Sequence, residues 1–348
     1  MSKVGRILSG MRPTGRLHLG NYVGALENWV RLQNAGWENF HMVADWHMLT
    51  TGHEDTSRLQ SDIEDMVVDW LSAGLDPKRS VIFVQSWVKE HAELHLLLSM
   101  LVSKARLERI PTLKEQIRDL NLDEQTISYG HLGYSVLQAA DILLYRATAV
   151  PVGEDQVPHI ELTRELARRF NFLYCQDREP VFPEPDAQLT DFPRLRGLDG
   201  NRMSKSVGNT ILLADSPADL LARVMTAYTD PLKVRADSPG RPEAHLPDHT
   251  GCVVWEYHRK FNAGEAEDIA ARCRAGKLGC VADKKYLAQK LADVLAPVRE
   301  RRAQIVADPD FVRDVLADGT RRARAVAAET MDHVRTAMGL KSTLERVP

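Results

Sequence analysis

Cysteine is scarce in this chain: four of 348 residues, Cys175, Cys252, Cys273 and Cys280. So few cannot form a disulfide framework, and a reducing, cytoplasmic setting is expected. No uninterrupted apolar run approaches the roughly 18 residues that a membrane span needs. The opening MSKVGRILSG lacks the long apolar segment of a secretory signal. Neither sign of charge dominates, the formal net charge being −3. Bulk charge therefore gives no support to nucleic-acid binding, although a local basic patch would suffice. Candidate patches are Lys104, Arg106 and Arg109; Arg164, Arg168 and Arg169; and Arg321, Arg322 and Arg324. Each reads equally as a solvated helix face. There is no internal repeat and no low-complexity tract.

What is present is ordinary globular material, 44% hydrophobic and 27% charged, in a length that suits about two domains. Short apolar strands at residues 5–9, 40–46, 81–84 and 149–152 alternate with helical periodicity after Leu19, over 57–73, 91–103 and 156–170. That alternation predicts an α/β domain built on a doubly wound parallel sheet. After about residue 208 strand signals nearly vanish, and 216–228, 262–274, 284–302 and 311–338 read as helices. The expected division is a Rossmann-type domain over 1–208, an all-helical domain over 209–305, and a last helix in 306–348 that packs back on the first domain.

Two short stretches carry chemistry. RPTGRLHLGN, residues 12–21, lies between the first strand and the first helix, at the carboxyl end of a strand, where such folds bind ligands. A helix start offers free N–H groups and partial positive charge to a phosphate. Gly15 and Gly20 let backbone approach closely, and His18 and Asn21 have the groups to bond phosphate oxygens. A Gly-rich turn with a capping Asn would look the same. GNRMSKSVGN, residues 200–209, has the composition of a solvated loop, or of a mobile arm that carries Lys205 to a phosphate.

A third stretch, YSVLQAADILLY at 134–145, places Tyr134, Gln138 and Asp141 on one helix face. They line a polar pocket or simply face water. VGEDQ, residues 152–156, again follows a strand and precedes a helix.

Taken in order, His18-Leu19-Gly20-Asn21 and Arg202-Met203-Ser204-Lys205-Ser206 resemble the two signatures of the class I aminoacyl-tRNA synthetases. With GEDQ, HIELTREL and RRFN the chain looks like the bacterial tryptophanyl-tRNA synthetases over nearly its whole length. The resemblance implies ATP-dependent activation of L-tryptophan and transfer to tRNA(Trp). Lys205, His18, Asn21 and Ser204 would then be catalytic. Arg12, Gly20, Asn21, Gly153, Asp155, Met203, Ser204 and Lys205 would hold ATP, with Mg²⁺ carried by phosphates and water rather than by a protein cage. Asp141 would accept the indole N–H, Tyr134 and Gln156 hold the α-amino group, and His47, Gly10 and Gln138 complete the amino-acid pocket. Glu154, Asp155 and Gln156 would close over amino acid and ribose. An indole N–H buried without a partner costs about 1–3 kcal/mol, so a buried acceptor selects against phenylalanine and tyrosine. The resemblance also implies a cytoplasmic homodimer joined through catalytic domains, and a helical domain that reads the anticodon.

Several positions depart from the family pattern. Gln138 stands where relatives often carry Met, and Tyr-x-x-x-Gln-x-x-Asp is also how tyrosyl enzymes build their pocket, so a tyrosyl-tRNA synthetase is the alternative. Thr112, Leu113 and Gln116 interrupt a phosphate-facing lysine motif, and Arg12 replaces a Gln. These changes would suit a diverged paralogue that binds tryptophan or a partner protein and charges tRNA weakly. A small adenylyltransferase is excluded by length, the helical region and GEDQ. The series Cys252, Cys273, Cys280, Asp283 resembles the iron–sulfur pattern of some bacterial members with its last cysteine replaced. Four thiolates normally hold such a cluster, so a cluster is expected to be absent or labile, and the thiols to serve as small buried hydrophobes.

Overall fold

The computed structural model describes residues 4–111, 113, 114, 117, 127–189, 195–243 and 252–340. The departures at Thr112 and Gln116 lie outside the described residues. Five parallel strands form one sheet in the order β3-β2-β1-β4-β5. They are β1 (Arg6–Met11), β2 (Glu38–Val43), β3 (Ser80–Val84), β4 (Ala149–Val152) and β5 (Asp186–Leu189). β3, SVIFV, is buried at every position, as a parallel strand covered on both faces must be. The order reverses direction at β1, which puts a topological switch point beside the carboxyl ends of β1 and β4, where ligands bind in such sheets.

Two elements differ from the sequence expectation. The strand expected to reach Trp46 stops at Val43, and Asp45–Gly52 is a helix. Its Asp45 carboxylate accepts from the backbone N–H of both Trp46 and Ser86, at 3.0 Å each, which turns the chain out of the sheet. The helix expected over 91–103 ends at Ser99, and a separate short helix, Lys104–Leu107, follows, capped by the Ser103 hydroxyl accepting from the Arg106 N–H at 3.3 Å. β5 gave no sequence signal because DAQL is short, half polar and nowhere buried.

The helical region is not a separate body. One apolar cluster runs from Leu17, Trp70 and Ile82 through Ile211, Leu220 and Tyr257 to Leu291 and Leu316. The last helix, Pro309–Ala337, crosses β3 so closely that a Cβ on Gly319 would sit 1.8 Å from the Ile82 carbonyl oxygen. Arg322 donates to the Pro77 carbonyl at 2.9 Å and Arg324 to that of Trp87 at 2.6 Å. Much of the basic run at 321–324 is therefore spent on holding this helix. The patch at 164–169 is likewise engaged: Arg164 pairs with Asp186 at 2.9 Å and Arg168 with Glu184 at 2.7 Å. Arg106 forks onto Glu165 at 2.8 and 2.9 Å.

Candidate active site

The first helix begins at Leu19 with His18 as its cap. Nδ1 of His18 accepts from the Asn21 N–H at 3.3 Å, and the His18 N–H donates to Asn21 Oδ1 at 3.1 Å. This is a reciprocal cap of the kind usually made by Ser and Glu. Accepting at Nδ1 requires a bare nitrogen. Burial, helped by the nearby Lys205 ammonium, lowers the His18 pKa to about 4 and keeps the ring neutral, with one nitrogen free to accept.

The second loop is joined to the first by main chain. Leu19 N–H donates to Ile211 O and Leu213 N–H to Leu17 O, both at 2.9 Å. The segment after the MSKS loop thus lies antiparallel beside the helix start. Gly20 is required there, since a Cβ would meet Met203 Sδ at 2.8 Å and His18 Nδ1 at 2.9 Å. The Lys205 ammonium reaches the Thr14 carbonyl at 2.5 Å. Burial lowers its pKa, against the opposing pull of Asp62, Asp69 and Asp65. Asn209, overlooked in the sequence, pins the base of the loop: Oδ1 accepts from the Ser204 N–H at 2.8 Å, and Nδ2 donates to Asp199 at 2.8 Å and to the Arg202 carbonyl at 3.0 Å. Ser204 and Ser206 share a hydroxyl hydrogen bond at 2.8 Å.

At the switch point a cavity of about 240 Å³ gathers Gly10 and Arg12 from the end of β1, His47, the helix face Tyr134, Gln138 and Asp141, and Gly153 with Gln156 after β4. Gly24 and Ala25 of the first helix form another wall, so the helix that begins at the phosphate-type loop also bounds this cavity. All six residues expected at the amino-acid pocket meet here. Arg12, expected at ATP, also lines it; its Nη2 donates to Thr51 Oγ1 at 2.6 Å. Asp155 stands at the rim, accepting from Gln156 Nε2 at 3.1 Å. Glu154 shares its short 3₁₀ turn and is exposed.

Asp141 is 1% exposed. Burial alone would raise its pKa. His47 and His91 outweigh that and hold the carboxyl down at about 2. Three of its partners or supports were not foreseen: His91, Gln85 and Tyr145. His91 Nδ1 lies 2.7 Å from Oδ1, and its Nε2 lies 2.8 Å from the Tyr145 hydroxyl. No sequence signal marked His91, which sits in the mixed helix EHAELHLLLS. Tyr134 is half-buried against His47, ring centroids 4.4 Å apart, and loss of solvent around its phenol raises the pKa. The Gln138 Oε1 is buried without a hydrogen-bond partner.

Around the cysteines, burial pushes the Cys252 thiol up to about 12, which opposes a thiolate ligand. Asp283 stands 3.2 Å from His258 Nε2. Among the described residues no group of three or more His, Cys, Asp or Glu could hold a metal ion. Nor, among them, is any helix long and apolar enough to cross a membrane.

Comparison with known proteins agrees with this geometry. The family model for class I tRNA synthetases (W and Y) matches residues 2–296. The tryptophan–tRNA ligase of Thermotoga maritima is 53% identical over 337 residues, covering 96% of this chain and 99% of that one. The Treponema pallidum tryptophan–tRNA ligase is 46% identical, covering 97% of each. Among solved structures, the Campylobacter jejuni tryptophanyl-tRNA synthetase, complexed with ADP and tryptophan, superimposes with a TM-score of 0.82 at 30% identity, over 96% of this chain and 99% of that one. The chain belongs to the class I tRNA synthetases of the tryptophan and tyrosine group, on its tryptophan–tRNA ligase side.

Proposed function

We infer that the chain acts as a tryptophan–tRNA ligase, joining L-tryptophan to AMP and passing it to tRNA(Trp), and that the two joined loops and the Asp141 cavity do this work. The observation that carries the reading is the main-chain pairing of Leu17 and Leu19 with Leu213 and Ile211, which sets Lys205 over the Thr14–His18 loop while the same helix walls the cavity. ATP would lie with its phosphates between His18, Gly20, Asn21 and the Met203–Ser204–Lys205 arm. A carboxylate oxygen of tryptophan attacks the α-phosphorus, and the bond from that phosphorus to the pyrophosphate oxygen breaks. No covalent enzyme intermediate is needed, so positioning and charge stabilisation supply the rate. Lys205 meets charge gathering on the departing pyrophosphate. His18, being neutral, offers a hydrogen bond without repelling or trapping Lys205. Mg²⁺ would travel with the phosphates and water.

In the cavity, Asp141 would take the indole N–H, Tyr134 and Gln156 the α-amino group, and Asp155 the ribose side. The named relatives favour tryptophan over tyrosine at this pocket. The helical region after about residue 208 would read the anticodon. Met100 and Phe172, exposed to 65% and 70% on one cleft, suit the apolar face of a homodimer. Free thiols at all four cysteines accord with the cytoplasm.

Amino-acid-dependent ATP–pyrophosphate exchange tests the reading, with tryptophan and tyrosine in parallel, for the wild type and Asp141→Ala. Exchange with tryptophan alone, lost in the variant, supports it. Exchange with tyrosine overturns the substrate, and exchange with neither points to a non-charging paralogue.

A further inference from the structure

The Asp141 carboxylate is already full. Oδ1 lies 2.7 Å from His91 Nδ1 and 2.8 Å from Gln85 Nε2; Oδ2 lies 2.7 Å from His47 Nε2 and 3.0 Å from Gln85 Nε2. An ionised carboxylate has about four lone-pair positions, so a ring N–H arriving from the cavity finds none open. One of the present donors has to leave.

The three donors are held very differently. His91 is wholly buried and engaged at both nitrogens, the second by the Tyr145 hydroxyl. Gln85 is wholly buried too, and its Oε1 accepts from the Trp46 N–H at 3.1 Å. Neither lines the cavity. His47 does line it, beside Asp141. Its Nδ1 is buried with no hydrogen-bond partner, so the contact to Asp141 is the only hydrogen bond its ring makes. Moving His47 breaks one hydrogen bond; moving His91 or Gln85 breaks two or more. His47 also abuts the Tyr134 ring, which lines the same cavity.

We infer that His47 is a built-in stand-in for the ring N–H of the amino acid: it occupies Oδ2 of Asp141 and yields that oxygen when an indole N–H arrives, while His91 and Gln85 keep the carboxylate fixed. This rests on reading the cavity as the tryptophan pocket. The exchange is one N–H···O bond for another, so tryptophan enters at little electrostatic cost. A ring without an N–H has no such trade. Either His47 stays and takes up room, or it leaves and Oδ2 loses a donor in a buried site. Selectivity thus comes from the replaced bond as well as from cavity shape.

The test uses the intact enzyme carrying ¹⁵N-labelled histidine, with the His47 and His91 ring signals assigned by their loss in His47→Asn and His91→Asn. It is titrated with L-tryptophan and with the isostere that carries sulfur in place of the ring N–H. The expected result is a shift of the His47 Nε2 signal on adding tryptophan and no shift at His91. The isostere should bind at least about tenfold more weakly, because it returns no donor to Oδ2. A His47 signal that stays in place at saturating tryptophan overturns the inference, as does a shift at His91 instead. Asp141→Asn is the separate check on the pocket: if it leaves tryptophan affinity and exchange unchanged, the pocket reading itself fails, and the inference with it. If it abolishes exchange while wild-type His47 stays in place, only the stand-in role is lost.

Discussion

The backbone N–H of Leu17 donates to Oδ2 of Asp69 at 2.6 Å, and the other oxygen of that carboxylate takes Nε–H of Arg302 at 3.0 Å. Leu17 belongs to the loop before the first helix; Arg302 belongs to the long Cys280–Val306 helix of the C-terminal region. Asp69 is fully buried between them. A single carboxylate therefore ties the phosphate-type loop to the helical region. Arg302 also reaches Asp65 at 3.0 Å, one turn before Asp69 on the helix Leu59–Ala73.

Asp69→Ala leaves a buried N–H without an acceptor and strips Arg302 of its inner partner. Breaking a buried pair in this way costs about 3–5 kcal/mol. Asp69→Asn keeps an acceptor for Leu17 and should lose less. Urea unfolding at neutral pH gives both values, and KM for ATP should rise in each variant because the loop is no longer pinned. An alanine variant as stable as the wild type would show that the tie is idle.

Gly20→Ala forces a methyl to within 2.8 Å of Met203 Sδ and 2.9 Å of His18 Nδ1. Both neighbours are motif residues, so relief comes by displacing the Met203 side chain or the His18 cap from the close approach of the two loops. Global stability should change little, since Met203 is a flexible, half-buried side chain. ATP affinity should fall by about tenfold or more, and Gly20→Ala combined with Met203→Ala should recover part of it, because the close contact is then gone. Isothermal titration with ATP separates these outcomes. Equal loss in the single and double variants would place the clash elsewhere.

Lys205→Ala removes a charged side chain by which the second loop reaches the first, via Thr14. Loss of one preorganised charge at a departing group typically lowers turnover by about 10²–10³. Tryptophan binding should be unchanged, as Lys205 does not line the cavity. Exchange rates and equilibrium titration with tryptophan, run side by side, check the split between the two steps. A parallel loss of tryptophan affinity would mean the loop shapes the pocket too.

The parts of this site that were legible in the sequence are those fixed by local spacing. Tyr134, Gln138 and Asp141 share a helix face at any tertiary arrangement, and the positions after β1 and β4 are ligand positions in any doubly wound sheet. His91, Gln85 and Asp69 were not legible. The role of each depends on a partner 50, 56 or 52 positions away: Asp141 for the first two, Leu17 for the third. The same applies to the arginines at 321–324. Their sequence suggests a solvated basic face, yet carbonyls of residues 77 and 87 claim two of them. Only the crossing of the last helix over β3 brings those groups together, and the sign that it crosses so tightly is a lone glycine, Gly319.

The depressed Asp141 carboxyl makes a prediction about acid. Its folded-state pKa, about 2, lies below the ordinary 3.8 of an unfolded chain, because burial, which disfavours the ionised form, is outweighed by His47 and His91. A group lowered on folding adds stability above its unfolded value, and that contribution fades as pH falls through the gap. Wild type should therefore exceed Asp141→Asn in unfolding free energy by a constant amount above about pH 5, and the margin should shrink between about pH 4 and 2. Subtracting the variant removes the other carboxylates, which titrate alike in both proteins. Urea titrations across this range supply the difference. A margin that stays flat to the acid end would mean that the carboxyl is not held ionised by its histidines, and that the electrostatic basis for an indole N–H acceptor is missing.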